Sequence, residues 1–209
     1  MTSTSQATSV RATKGQRTKE RLLAAASAEI VATAGDFQLA QVSQRAEVSP
    51  GLPYRYFESK SDLLVAVVND FYDELDARVF RPDFAEISVD WWVREQHRIV
   101  SLIDFCYQRP IARYLVTSLA GDATAVAVQR ERTQRHYVGA AANIRTGQQL
   151  GIVPESIDAA LVGPMLIGGV NAVIGSALTL TPATAQDRTV DAVIHGMRTI
   201  LQIGVTHEP

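Results

Sequence analysis

Apolar residues recur at three- and four-residue spacing through most of this chain, and nowhere is there a convincing period-two alternation. Leu22, Leu23, Ala26 and Ile30 form one stripe from about Arg17 to Ala34, and Gly35 ends it. Asp36 can cap a short second helix over about Gln38–Arg45, with Leu39 and Val42 on one side. Ser49 followed by Pro50 reads as a third start: a hydroxyl for the free N–H groups, then a φ suited to a first helical position. That third helix must be short, because Ser59, with Asp62 three residues on, caps a fourth. The fourth runs from about Lys60 through Leu63, Leu64, Val67, Val68, Phe71 and Leu75. Beyond Pro82 the pattern predicts helices over about 88–108, 110–119, 123–149, 156–179 and 184–204, punctuated by Gly121, Gly151, Pro154 and Pro182. The expectation is an all-α protein of about nine helices.

Composition narrows this picture. At 209 residues and 46% hydrophobic the chain can bury a substantial core. Cys106 stands alone, which excludes an intrachain disulfide and a cysteine-based zinc cluster and points to a reducing compartment. The opening MTSTSQATSVRATKGQR is polar and lacks the apolar stretch of a secretory signal, so a soluble cytoplasmic protein is expected. Charge is uneven: residues 1–60 carry eight Lys/Arg against five acids, whereas 61–209 carry 12 against 17. A basic end on an acidic protein suggests a polyanion partner for that end alone.

Four helices in about 60 residues, the second and third short and joined by a tight turn, fit a helix-turn-helix unit spanning about 38–57. Its reading helix needs an apolar brace behind it, and Val42, Ala46, Val48, Pro53 and Phe57 can supply one. Leu52, Tyr54, Arg55 and Tyr56 would then project, and Lys60 at the next helix start can reach a phosphate.

The run Ala46-Glu47-Val48-Ser49-Pro50-Gly51-Leu52-Pro53-Tyr54-Arg55-Tyr56-Phe57-Glu58-Ser59-Lys60-Ser61-Asp62-Leu63-Leu64 resembles the core of the tetracycline-repressor (TetR/AcrR) family. The family pattern there is roughly A-G-V-S-x-G-x-[LIP]-Y-x-[YH]-F-x-[SN]-K-x-x-L. Arg21 to Ala26, with Ile30 and Gly35, is similar to the family's first helix, so the resemblance covers about residues 15–75. It implies DNA-facing positions at Ser49, Pro50, Gly51, Leu52, Tyr54, Arg55 and Tyr56, with Lys60 on a phosphate and Gln38 and Gln41 near the backbone. It also implies a DNA-binding domain at 15–75 and a ligand-binding and dimerisation domain at 76–209, while the aperiodic Ser/Thr/Ala/Gln-rich start reads as a flexible basic arm at 1–14. Tyr hydroxyls and Lys suit phosphate oxygens, Leu52 can only offer apolar contact, and Arg55 alone in the third helix could bind guanine bidentately. Arg21 and Arg45 read as solvated. Glu47 stands where the family usually has Gly, Pro53 falls inside the third helix, and the Gly35–Gln38 connection is short.

The C-terminal part offers a dimer interface. Ala159 to Gln186 holds no charged residue, but Gly163, Pro164, Gly168, Gly169, Asn171 and Gly175 interrupt it and no Lys/Arg cluster flanks it, which argues against a membrane span. Gly168, Ala172 and Ser176 make a small-residue stripe, and Val190, Ile194, Met197 and Leu201 share a face of the last helix. Two such helices per subunit would form a four-helix homodimer interface. The other helices would enclose a pocket with Trp92, Phe105, Tyr114, Tyr137 and Met165 as walls, Trp91 and Tyr107 beside them, and His97, His136 and Asn171 as polar handles. The partners expected are a double-stranded DNA operator, a second copy of the chain and a small, partly apolar effector, with no cofactor, no metal and no membrane. No catalytic set is apparent: Glu95 and His97 fall on different helix faces, and nothing orients the four His. The leading reading is a ligand-responsive repressor. The alternatives are an all-α interaction protein without DNA binding, or an enzyme with an all-α pocket.

Overall fold

The computed structural model describes residues 13–116, 122–180 and 183–204. The arm at 1–12, the far end of the helix expected at 110–119, the punctuating Gly121 and Pro182, and His207 lie outside them. The order is α1 (Lys14–Ala32), α2 (Leu39–Arg45), a 3-10 turn (Pro53–Arg55), α3 (Lys60–Leu75), α4 (Trp91–Tyr107), α5 (Ala112–Leu115), α6 (Ala123–Gln149), α7 (Ala159–Thr179) and α8 (Gln186–Ile200).

Local chemistry sets most of these boundaries. Gln16 N–H donates to Thr13 Oγ1 at 3.2 Å while Thr13 N–H donates to Gln16 Oε1 at 2.7 Å, a reciprocal cap that opens α1. Ala34 (φ 52) and Gly35 (φ 96) end it in left-handed geometry. Ser59 Oγ accepts from Asp62 N–H at 3.1 Å at the head of α3, and Asp90, Asp122 and Asp158 cap α4, α6 and α7 in the same way.

The third helix expected from Ser49-Pro50 does not form as an α-helix. Ser49 makes no side-chain cap; Leu52 N–H bonds to Ser49 O at 2.9 Å, and Pro53 has no N–H with which to extend an i→i−4 ladder. The chain closes with shorter i→i−3 bonds instead, Arg55 N–H to Leu52 O at 3.0 Å and Tyr56 N–H to Pro53 O at 2.9 Å. Among the described residues, eight α-helices and this turn therefore stand where about nine helices were expected.

α3 runs on into a π-turn over Asp76–Phe80, closed by Arg81 N–H on Asp76 O at 2.9 Å. A continuous core spans α1 to α8, from Leu22, Phe37 and Leu63 through Phe71 and Phe105 to Ile174 and Val193. Arg113 Nη2 on α5 donates to Val31 O of α1 at 3.1 Å, and Ser61 Oγ on α3 donates to Asp122 Oδ1 at the head of α6 at 3.1 Å. α6 packs on α3 and α7, and α8 on α4. At Gly163 the α6–α7 approach is so close that a Cβ would lie 2.7 Å from Ala141 N. A second apolar cluster gathers Trp91, Ile144, Val153, Leu166 and Leu201.

Candidate functional site

The turn at Pro53–Arg55 is braced from behind. Val42, Ala46, Pro53 and Phe57 are buried and Val48 is partly so, the set the sequence suggested. Ser43 Oγ donates to Leu39 O at 3.0 Å beneath it. The α2-to-turn corner rests on Glu47 at φ 52, so a non-glycine residue does occupy the left-handed position. Arg21 is exposed, as expected, and in addition donates through Nη2 to Ala46 O and, at 3.5 Å, to Glu47 O. Arg45, expected likewise, pairs with the buried Glu29 at 2.6 Å. Both contacts tie the corner to α1, Arg21 reaching out from α1 and Arg45 reaching back from the end of α2, a role that only the tertiary fold reveals because it joins residues 16 to 26 positions apart.

On the outer side Ser49, Pro50, Gly51, Tyr54 and Arg55 are exposed, Tyr54 to 61%, and Leu52 is half-buried. Tyr56 is also half-buried; its ring tilts on Phe57 with centroids 6.5 Å apart, so part of it belongs to the brace. Lys60 sets its ammonium 4.5 Å from the Phe37 ring centroid, half-buried at the α3 N-terminus. Gln38 and Gln41 are exposed at the head of α2, where Gln41 Oε1 accepts from Gln38 N–H at 2.7 Å. The exposed Tyr54 and Arg55 and the half-buried Lys60 thus bring phenol, guanidinium and ammonium groups to one short segment, and such groups suit phosphate oxygens and base edges.

A second candidate site lies in the helical bundle, a cavity of about 470 Å³. Phe71, Tyr72, Phe80 and Trp91 supply rings, Leu166 and Val170 of α7 supply aliphatic wall, and His136 and Asn143 of α6 and Asn171 of α7 supply polar groups. The π-turn turns Asp76, Val79 and Phe80 into its wall. Asp76 Oδ1 accepts from His136 Nε2 at 2.6 Å, and Arg132 lies 3.4 Å from Oδ2. Burial holds the His136 imidazole below its ordinary pKa, against the pull of Asp76. Glu95 faces Arg98 at 3.3 Å; burial raises its carboxyl pKa despite that guanidinium.

No protein-family model matches this chain, and no curated protein matches it. Solved structures do. SmeT, the repressor of the multidrug efflux pump SmeDEF of Stenotrophomonas maltophilia, superposes with TM-score 0.71 at 17% identity, over 91% of this chain and 96% of that one. FadR of Bacillus halodurans, a fatty acid degradation regulator, gives 0.72 at 16% identity over 91% and 97%. AibR, seen in complex with isovaleryl coenzyme A and operator DNA, gives 0.67 at 15% over 86% and 97%. Several further neighbours are described as TetR-family transcriptional regulators. The chain has the TetR-family fold.

Within this TetR fold the cavity draws on fewer of the expected residues than the sequence suggested. Asn171 lines it, as do Trp91 and His136. Seven others lie elsewhere. Trp92 packs on the second apolar cluster, and His97 meets Phe84 edge-on at 4.9 Å. Phe105 is core, between Phe71 at 5.1 Å and the Arg109 guanidinium at 4.8 Å. Tyr114 points its hydroxyl at Val31 O, 3.4 Å away. Tyr137 and Met165 are not in the lining, Met165 being 51% exposed. Tyr107 instead bonds Thr184 O at 2.9 Å. Three of the residues outside the lining are immediate neighbours of ones in it: Trp92 beside Trp91, Tyr137 beside His136 and Met165 beside Leu166. One residue is about 100° of helix rotation, so the aromatic content of a segment does not say which way a given ring faces. What the sequence could have offered is the α6 spacing His136, Gly139-Ala140, Asn143, which puts two polar side chains and a small-residue gap on one face.

The expected dimer residues also divide. Gly168, Ala172 and Ser176 are exposed on α7, beside exposed Leu161, Met165 and Val173. Val190 and Ile194 are half-buried on α8. Met197 and Leu201 instead line the cavity, Leu201 being 1% exposed. Val193, Met197 and Leu201 repeat every four residues and so form the inward stripe of α8, which leaves Val190 and Ile194 on the neighbouring one.

Proposed function

We propose that this chain is a ligand-responsive, sequence-specific DNA-binding transcriptional regulator, a cytoplasmic repressor released from its operator by a small molecule rather than an enzyme. The observation that carries the reading is the exposed Tyr54-Arg55 turn, braced by buried Val42, Ala46, Pro53 and Phe57 and followed by Lys60 at a helix start. Ser49, Pro50, Gly51, Leu52 and Tyr56 would complete the groove contact, with Gln38 and Gln41 at the backbone. Neighbours of the same fold support it, since one is described as a repressor and another is seen with both a ligand and operator DNA.

The cavity takes the effector in this reading, and the exposed α7 face with Gly168, Ala172 and Ser176, flanked by Val190 and Ile194 of α8, joins two copies. α7 is long and apolar enough to cross a membrane. A four-helix interface between two copies accounts for that face without a lipid phase. Effector binding would favour a dimer geometry whose two turns no longer match successive major grooves, which requires different effector affinity in the two states.

A gel shift on DNA flanking the coding region tests the reading. Specific retardation that weakens steeply with salt is expected. Retardation absent at every salt concentration would remove the DNA-binding assignment.

A further inference from the structure

The cavity compensates its own charges. Glu95 spends both oxygens on Arg98 Nε, and Arg98 Nη1 is taken by the carbonyls of Val79 and Pro82. Asp76 is held by His136 and by Arg132, which also bonds Asn69 and Asp73. Arg81, Asp83 and Arg135 are exposed, so the lining residues that reach solvent carry charges of both signs, and Arg135 pairs with Glu131 at 3.3 Å. The buried charges of the lining are thus already paired. A ligand that carried its own charge past the exposed Arg81, which makes no ion pair among the described residues, into the interior would bury it without a counter-ion, which is strongly unfavourable.

What remains open is neutral hydrogen bonding. His136 is 8% exposed, lines the cavity, and uses Nε2 on Asp76. With Nε2 donating to the carboxylate, Nδ1 keeps its lone pair as an acceptor, and no protein group among the described residues donates to it. The Asn171 side chain, opposite on α7, likewise makes no hydrogen bond among the described residues. Between His136 and Asn143, two turns apart or about 10.5 Å along α6, stand only Gly139 and Ala140 on the lining face. A Cβ on Gly139 would meet nothing within 4 Å. That gap is a flat platform, and the rings of Phe71, Tyr72, Phe80 and Trp91 surround the same space.

We propose that the effector is an uncharged, ring-bearing hydroxyl compound of the phenol class, lying over Gly139 and Ala140 with its O–H donated to His136 Nδ1 and a second polar group on the Asn171 amide. The assignment rests on the reading of this cavity as the effector site. A volume of about 470 Å³ suits a molecule of two to four rings. The multiple phosphates of a coenzyme A thioester find no cluster of free cations in it.

The test uses the full chain and four probes: p-phenylphenol, its methyl ether, biphenyl-p-carboxylate and stearoyl coenzyme A. Binding is read by calorimetry and by quenching of the two tryptophans, of which Trp91 lines the cavity. The phenol is expected to bind about ten-fold or more tighter than the ether, which lacks the donor, and than the carboxylate, which carries a charge. Gly139→Leu should abolish phenol binding while leaving thermal stability and unliganded operator retardation intact. His136→Phe keeps a ring against Phe80 but removes the acceptor, and should lower phenol affinity by about ten-fold or more. The proposal is overturned if the carboxylate or the thioester binds at least as tightly as the phenol, if Gly139→Leu binds the phenol unchanged, or if none of the four binds. Operator retardation by the unliganded chain, measured on the same samples, separately tests the DNA-binding reading, so either can fail while the other stands.

Discussion

Glu47 is the residue where local strain and function meet. Its φ of 52 belongs to the left-handed region, which costs a non-glycine residue on the order of 1 kcal/mol. Glu47→Gly is therefore expected to stabilise the protein by about 0.5–1 kcal/mol, raising Tm by roughly 2–4 °C per kcal/mol. Losing an acid beside the reading turn should also tighten DNA binding at low salt. A melting curve unchanged or lowered by Glu47→Gly would contradict the strain argument. Arg21 holds the same corner through the carbonyls of Ala46 and Glu47. Arg21→Ala should cost about 1–2 kcal/mol in denaturant melts and weaken operator binding without altering base preference. Tyr54→Ala is the opposite case: the side chain is 61% exposed, so stability should hold while operator affinity collapses. His136 adds a pH dependence. Burial holds its folded pKa below the 6.5 of an unperturbed imidazole, so below about pH 6.5 the unfolded chain binds more protons than the folded one. Stability should fall as pH drops through that window, and His136→Phe should flatten the fall.

At the scale of elements, what the sequence made legible follows from what determines each feature. The expected helix at 123–149 coincides with α6, because Asp122 at one end and Gly151 just past the other are local signals. The third helix was misread because Ser49-Pro50 looked like a start, while Pro53, three residues further on, removes the donor an α-ladder needs. The cavity lining was the least legible part. Whether Trp91 or Trp92 faces inward depends on where α6 and α8 pack, a non-local fact, whereas the brace of Val42, Ala46, Val48, Pro53 and Phe57 is read from one short segment. The corner contacts of Arg21 and Arg45 also stayed hidden, being made between α1 and α2 or the corner after it. The tight α6–α7 approach at Gly163 gives a prediction of its own. A Cβ at Gly163 would sit 2.7 Å from Ala141 N, so Gly163→Ala must push α7 off α6 at a cost of about 1–3 kcal/mol. Gly168→Ala, where a Cβ meets nothing within 4 Å, should not destabilise the isolated subunit. Equal thermal stability of the two variants would show that α6 and α7 leave room for a methyl group at Gly163.

The whole molecule links a reading turn to a cavity through one continuous core. α3 starts at Lys60 beside the reading turn and ends at Asp76–Phe80 in the cavity wall, so a ligand that moves the π-turn acts on the helix that carries Lys60. Dimerisation through α7 is testable apart from folding: Gly168→Arg should yield a folded monomer by light scattering, with operator affinity sharply reduced. The central claim, that two copies present the Tyr54 turn to one duplex, is tested most directly by footprinting the chain on its own operator across a salt series. Two protected half-sites one helical turn or a multiple apart are expected, both lost in Tyr54→Ala and both fading with salt. A single protected site, or protection that survives Tyr54→Ala, would contradict it.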